Sequence, residues 1–236
     1  MIGDAATAQT FLDAVAFVVE HPGFLAGKAL DQLALSGAAL GLGAAVALPL
    51  GVALGHLHRG SGVAIGASIV GRALPSLVLI GAFLTVLGIG FVNNMVALAV
   101  LATGPMLTNA YDGMDGVDRD VVDAARGMGM SRAQTIARVE LPLATPLLLT
   151  GIRVAAVTVV ATAPIAAIAG GGGLGDVIVN QASYRLEGVL GASFCVMALS
   201  AGVWLALAAL QRAMTPRALR TDRVPGAADL TRKELP

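Results

Sequence analysis

The sequence predicts an all-α integral membrane protein, on three observations. Its residues are 56% hydrophobic and 13% charged, with a mean hydropathy of +0.81. Soluble domains carry about 25% charged residues, so half that share points to lipid as the main solvent. Apolar runs near the length of a transmembrane helix recur along the chain. The third observation is small-residue content: 30 glycines and only 4% aromatics suit helices whose backbones approach closely. The formal net charge of zero offers no electrostatic footprint for nucleic acid. Cys195, the single cysteine, excludes both a disulfide framework and a Cys-based metal site.

The elements follow in order. Residues 1–32 read as an interfacial amino-terminal segment, because the stretch 11–19 is too short to span and Asp13 interrupts it. Phe11, Val15 and Val18 fall on one face of that helix. It does not read as a secretory signal, since the first ten residues carry Asp4 and neither Lys nor Arg. The membrane domain, residues 33–212, holds five predicted spans: 33–54, 73–91 with a start nearer Val63, 95–111, 147–169 and 189–210. Pro49, Pro75, Pro105 and Pro164 each fall inside a span, where proline kinks a helix and neighbours re-satisfy the freed carbonyl. Residues 213–236 form a polar tail containing Pro and Gly, expected to be partly disordered.

Five spans place the termini on opposite sides, and the Lys and Arg distribution selects the side. Arg59, the loop residues Arg119, Arg126, Arg132 and Arg138, and the tail residues Arg212, Arg217, Arg220, Arg223, Arg232 and Lys233 share one side. Only Lys28 and Arg185 lie on the other. The carboxyl terminus is therefore expected in the cytoplasm and the amino terminus outside. Arg72 and Arg153 lie within spans near the basic side, where they either snorkel and brace the loop or line a path.

The loop 112–145 is too long and too ordered for a passive connector. Asp118 is placed to cap a helix running through Asp120, Val121, Asp123 and Ala125, with acidic residues in the first turn. Gly127-Met-Gly129 breaks that helix, and Ser131-Arg-Ala-Gln134 reads as a capping box opening a second one that runs to Leu141 before Pro142. The pair is expected to lie flat on the inner face of the membrane, with the small residues Ala124, Ala125 and Gly129 letting something dock upon it. A DNA-binding helix-turn-helix would need its own core and a basic recognition face, which a segment wedged between two spans lacks.

Asp123-Ala124-Ala125, Gly129, Val139 and Leu141-Pro142 keep every spacing of a pattern that marks the permease subunits of binding-protein-dependent ABC importers. The sequence resembles that family, with Asp in place of the usual Glu and Val in place of Ile, from about residue 33 to 216. The stretches 73–90, 108–130 and 169–176 are most similar to the osmoprotectant branch, the importers of glycine betaine, carnitine, choline or proline. The resemblance implies a type I ABC importer permease fold in the inner membrane of a bacterium. It identifies the loop as a coupling helix that seats in a groove of an ATPase subunit. It further implies no cofactor in this chain, ATP and magnesium being bound by the separate ATPase. The expected partners are that ATPase, a second permease copy or paralogue, an extracytoplasmic solute-binding protein and membrane lipid. ATPase closure would move the coupling helices and rock the spans between inward-open and outward-open. Pro75, Gly172, Gly173 and Gly175 are candidates for path or gating positions.

Other motifs carry less. Gly170 to Gly175 spells G-x-G-x-x-G, but a dinucleotide site requires a preceding strand and a following helix, so a flexible turn or a close helix contact is the better reading. Gly27-Lys28-Ala29 lacks the spacing and hydroxyl of a phosphate loop. His56 and His58 have no third ligand in reach along the sequence and read as a solvated loop. With one Trp, two Tyr and six Phe, the chain is poor in the aromatics that cage quaternary ammonium groups, so selectivity is expected to reside mainly in the binding protein. Competing readings are a permease for methionine, a sulfonate or a phosphonate, and a self-contained channel or secondary carrier.

Overall fold

The computed structural model describes residues 2–58, 62, 66 and 75–214, with side chains described from Gln9 onward. The described residues are helices and their connections. In order these are α1 (Ile2–Glu20), α2 (Pro22–His56), α3 (Ser76–Leu87), α4 (Phe91–Asp115), α5 (Arg119–Gly127) and α6 (Arg132–Thr135). A π turn (Ile136–Glu140) leads into α7 (Leu141–Thr162), followed by a 3-10 segment (Ala163–Ala169), α8 (Gly175–Val179) and α9 (Gln181–Met214). Four helical runs among the described residues are long and apolar enough to cross a membrane: Pro22–His56, Phe91–Asp115, Arg132–Ala169 and Gln181–Met214. Ser76–Leu87 is a shorter apolar helix, and the expected earlier start near Val63 lies outside the described residues, as do Arg59, Arg72 and the tail from residue 215 onward.

The bundle is organised on α4, which packs along both α2 and α7. Lipid tails are as apolar as leucine, so membrane helices associate through close packing rather than through expulsion of water. The sequence supplies that packing as small residues every fourth position on α2: Ala39, Gly43, Ala47, Gly51 and Gly55 are all buried. The two backbones meet so closely there that a Cβ on Gly51 would lie 2.6 Å from Ala110 Cβ, and one on Gly55 would lie 2.5 Å from Met114 Cβ. Gly151 of α7 does the same against Asn109 Cβ of α4, at 2.7 Å. Leu98, Met106, Ala155 and Val159 fill the seam between the three helices.

Helix boundaries differ from the sequence reading in three places. First, α2 begins at Pro22, well before residue 33. Pro22 occupies the first turn, where its missing N–H costs nothing. Lys28, read as a basic residue outside the first span, lies within α2 and pairs with Asp176 of α8 at 2.6 Å. Second, Pro142 does not end the helix from Ser131. The π turn ahead of it widens the hydrogen-bond register, and helical structure continues from Arg132 to Ala169. Third, α9 contains a break at Arg185 (φ 55°, ψ −176°), so its first residues point differently from the long apolar part.

Helix α1 lies along α9. Its apolar residues face both ways: Ala14 is fully buried and Phe17 and Val18 are half-buried, while Phe11 and Val15 are exposed. Phe11 stacks on Phe194 with ring centroids 6.1 Å apart. On the far flank, Arg153 of α7 lies over the Trp204 ring of α9, 5.6 Å from its centroid. Gln211 of α9 donates to Pro146 O and Thr150 Oγ1, both at 2.9 Å.

Candidate functional site

The polar elbow between α4 and α7 is built as its sequence dictates. Asp118 Oδ1 accepts from the Asp120 backbone N–H at 2.9 Å and opens α5. The helix closes in a Schellman arrangement. Gly129 N–H donates to Arg126 O at 2.9 Å and Met130 N–H to Ala125 O at 3.2 Å, with Gly129 in the left-handed region at φ 84°. Only glycine takes that conformation without strain. The capping box is complete: Gln134 N–H donates to Ser131 Oγ at 3.4 Å, and Ser131 N–H donates to Gln134 Oε1 at 2.9 Å. A cap of this kind contributes about 1 kcal/mol, enough to hold so short a helix in place.

The predicted contact residues divide by exposure. Asp123 points outward with its side chain 75% exposed, 3.9 Å from Arg126. Ala124 and Gly129 are exposed, and Val121 and Met128 present apolar side chains to the outside. Ala125 faces inward at 2% exposure, so it packs the elbow and leaves Ala124 and Gly129 as the small exposed positions. Val139 and Leu141 are half-buried and Pro142 is exposed, all on the run that joins the elbow to α7.

Beneath the elbow lies a contact that sequence reasoning missed. His56, the last residue of α2, is not solvated: its Nδ1 sits 2.7 Å from Glu140 Oε2 and 3.0 Å from Oε1. Their side chains are 11% and 4% exposed. His58 pairs with Asp115, the last residue of α4, at 2.7 Å. The available signal was Glu140 itself, a carboxylate adjoining an apolar run, which needs a partner if it is buried. His56, Leu57, Arg126, Met130 and Arg132 line a concavity of about 410 Å³ beside this pair.

The glycine-rich segment sits elsewhere, against the opposite part of α2. Gly170, Gly172 and Gly173 all have positive φ, at 71°, 71° and 77°. A Cβ on Gly173 would meet Gln32 Cβ at 3.0 Å, and one on Gly175 would meet the Pro164 backbone. Ala169 O accepts from Gly90 N–H at 3.0 Å and from Asn94 Nδ2 at 3.1 Å, tying the segment to the start of α4. The segment is therefore a close-packed turn, and α8 leaves it through Asp176 and Lys28. Pro75 stands apart from these glycines, exposed at the N-terminus of α3.

Long apolar helices joined through small residues, with an ordered and exposed polar elbow at their end among the described residues, fit an integral membrane subunit. The chain belongs to the binding-protein-dependent transport system inner membrane component family, which it matches over residues 45–220. It is 35% identical to the choline transport system permease protein OpuBB of Bacillus subtilis (strain 168), over 87% of this chain and 95% of that one. The glycine betaine/carnitine/choline transport system permease protein OpuCB of the same organism is 36% identical over 86% of this chain and 94% of its own. The carnitine transport permease protein OpuCB of Listeria monocytogenes is 36% identical over 90% and 98%. In fold, the chain is similar to a permease chain in the inward facing MetNI methionine ABC transporter, with a TM-score of 0.71 at 22% identity, covering 81% of this chain and 96% of that one.

Proposed function

We propose that the chain is the transmembrane subunit of an ATP-driven importer for a compatible solute such as glycine betaine, choline, carnitine or proline. The observation that carries the substrate class is 35–36% identity, along nearly the whole chain, to permeases of choline, glycine betaine and carnitine systems. The likeness to a methionine transporter is one of fold at 22% identity and bears on architecture alone. A permease for methionine, a sulfonate or a phosphonate is the alternative.

On this reading the subunit sits in the inner membrane with five spans, the short helix Ser76–Leu87 belonging to the second. The basic residues put the carboxyl terminus in the cytoplasm and the amino terminus outside. The elbow 119–142 then faces the cytoplasm and receives a separate ATPase chain, which holds ATP and magnesium. Its outward Asp123, Ala124 and Gly129, flanked by exposed Val121 and Met128, form the seat. A second permease subunit, identical or paralogous, completes the path, and an extracytoplasmic binding protein delivers solute to it. Close helix packing around Gly173 and Gly175 favours a gating role for that turn over a binding role.

The test is uptake of labelled glycine betaine in cells stripped of other osmolyte importers, with the chain expressed beside its ATPase and binding protein. ATP-dependent uptake that a Gly129→Val substitution abolishes supports the whole reading. An assembled complex that moves methionine and no osmolyte keeps the permease role and overturns the substrate class. Solute movement by the chain alone, without ATP, overturns the ATP-driven mechanism.

A further inference from the structure

The elbow has two connections to the membrane helices, and only one follows the chain. Along the chain, α6 and the π turn run straight into α7. Helix α5 packs chiefly on α6 and the π turn, so a push delivered to α5 enters the π turn. The last residue of that turn is Glu140, the only carboxylate among the described residues that is fully buried. Both its oxygens face His56 Nδ1, on the final residue of α2. The ring nitrogen and the carboxyl group meet at hydrogen-bond distance, in a place with little water to compete for the contact.

Helix α2 does not move alone. Gly51 and Gly55 seat it against α4 with no room for a methyl group, and His58 pairs with Asp115 at the same end. We propose that the His56–Glu140 pair is a transmission contact, through which displacement of the elbow drives α2 and α4 as one body while α7 is driven through the chain. His56 and Glu140 are positioning residues in this scheme and touch neither solute nor nucleotide. The inference rests on the reading of the elbow as the seat of the ATPase.

The test uses the complete transporter in proteoliposomes, measuring uptake and ATP hydrolysis on the same preparation. Glu140→Ala and His56→Ala are expected to insert and to retain the ATPase, yet to lower the solute moved per ATP at least tenfold. Glu140→Gln, which keeps the shape and one acceptor, should fall between, and it carries the test if the alanine variants fail to insert. The reciprocal exchange His56→Glu with Glu140→His should recover much of the lost ratio. A merely structural contact would lower uptake and hydrolysis together and leave their ratio unchanged, and that result overturns the proposal. Failure of the underlying reading looks different: Gly129→Val would then neither release the ATPase nor impair uptake.

Discussion

Gln32 and Gly173 pack tightly against each other: a Cβ on Gly173 would stand 3.0 Å from Gln32 Cβ. Gln32 is itself fixed, donating from Nε2 to Val160 O at 2.9 Å. Gly172 has almost the same backbone, φ 71° against 77°, but nothing lies within 4 Å of its missing Cβ. Both alanine substitutions carry the left-handed penalty of about 1–2 kcal/mol. Only Gly173→Ala adds a tight contact with Gln32, whose side chain is already held. Thermal unfolding of the detergent-solubilised complex should therefore rank Gly173→Ala below Gly172→Ala, and equal melting temperatures would contradict the contact.

Gly129 separates backbone from bulk in the elbow. Nothing lies within 4 Å of its missing Cβ in the chain itself, yet φ is 84°. If conformation alone holds the residue as glycine, Gly129→Asn should retain most uptake, since asparagine enters the left-handed region far more readily than other residues. Gly129→Val should lose it while membrane insertion is unchanged. Loss with asparagine as well would place the requirement in the docked partner rather than in the turn.

Gly41 and Gly55 occupy the same helix and answer differently. No atom lies within 4 Å of a Cβ on Gly41, whereas one on Gly55 would lie 2.5 Å from Met114 Cβ and 2.7 Å from Tyr111 O. Gly41→Ala should be neutral or slightly stabilising, because alanine is the better helix former by roughly 1 kcal/mol. Gly55→Ala must push α2 from α4 and should cost about 1–3 kcal/mol as an overpacked site. Melting of the purified complex reads both, and a neutral Gly55→Ala would contradict the described seam.

Trp204 is the only tryptophan in the chain, so its fluorescence reports on one place. Arg153→Met removes the cation from its ring and should shift the emission, with a loss of about 0.5–2 kcal/mol in stability. Arg153→Lys should recover only part of it, since the planar stack is absent. An unchanged spectrum in both variants would show that the pair does not form in the membrane.

The elbow was the most legible part of the sequence because its determinants are local. Asp118 needs only Asp120, and Ser131 needs only Gln134, so each cap is written within a few residues. The long apolar runs were legible for the same reason, as composition alone marks them. What escaped depends on residues far apart in the chain. Lys28 read as a charge outside the first span because its partner Asp176 lies 148 positions away. His56 looked solvated because Glu140 lies 84 positions away. Pro142 looked like a stop because the π turn that accommodates it has no sequence signature of its own. Ala125 and Ala124 are adjacent and chemically identical, and only the helix's placement decides which one faces the interior.

The unbroken helical run from Arg132 to Ala169 has a mechanical corollary. At 38 residues it runs about 57 Å along its course, taking roughly 1.5 Å of rise per residue. Pivoted near Arg132, a tilt of only about 5° sweeps its far end sideways by about 5 Å, close to the pitch of one helical turn. That far end leads directly into the glycine turn beside Gln32. On the proposed reading, a motor gripping the elbow would have a long lever in hand, and a small rotation at its own surface would become a displacement the width of a small solute at the glycine turn.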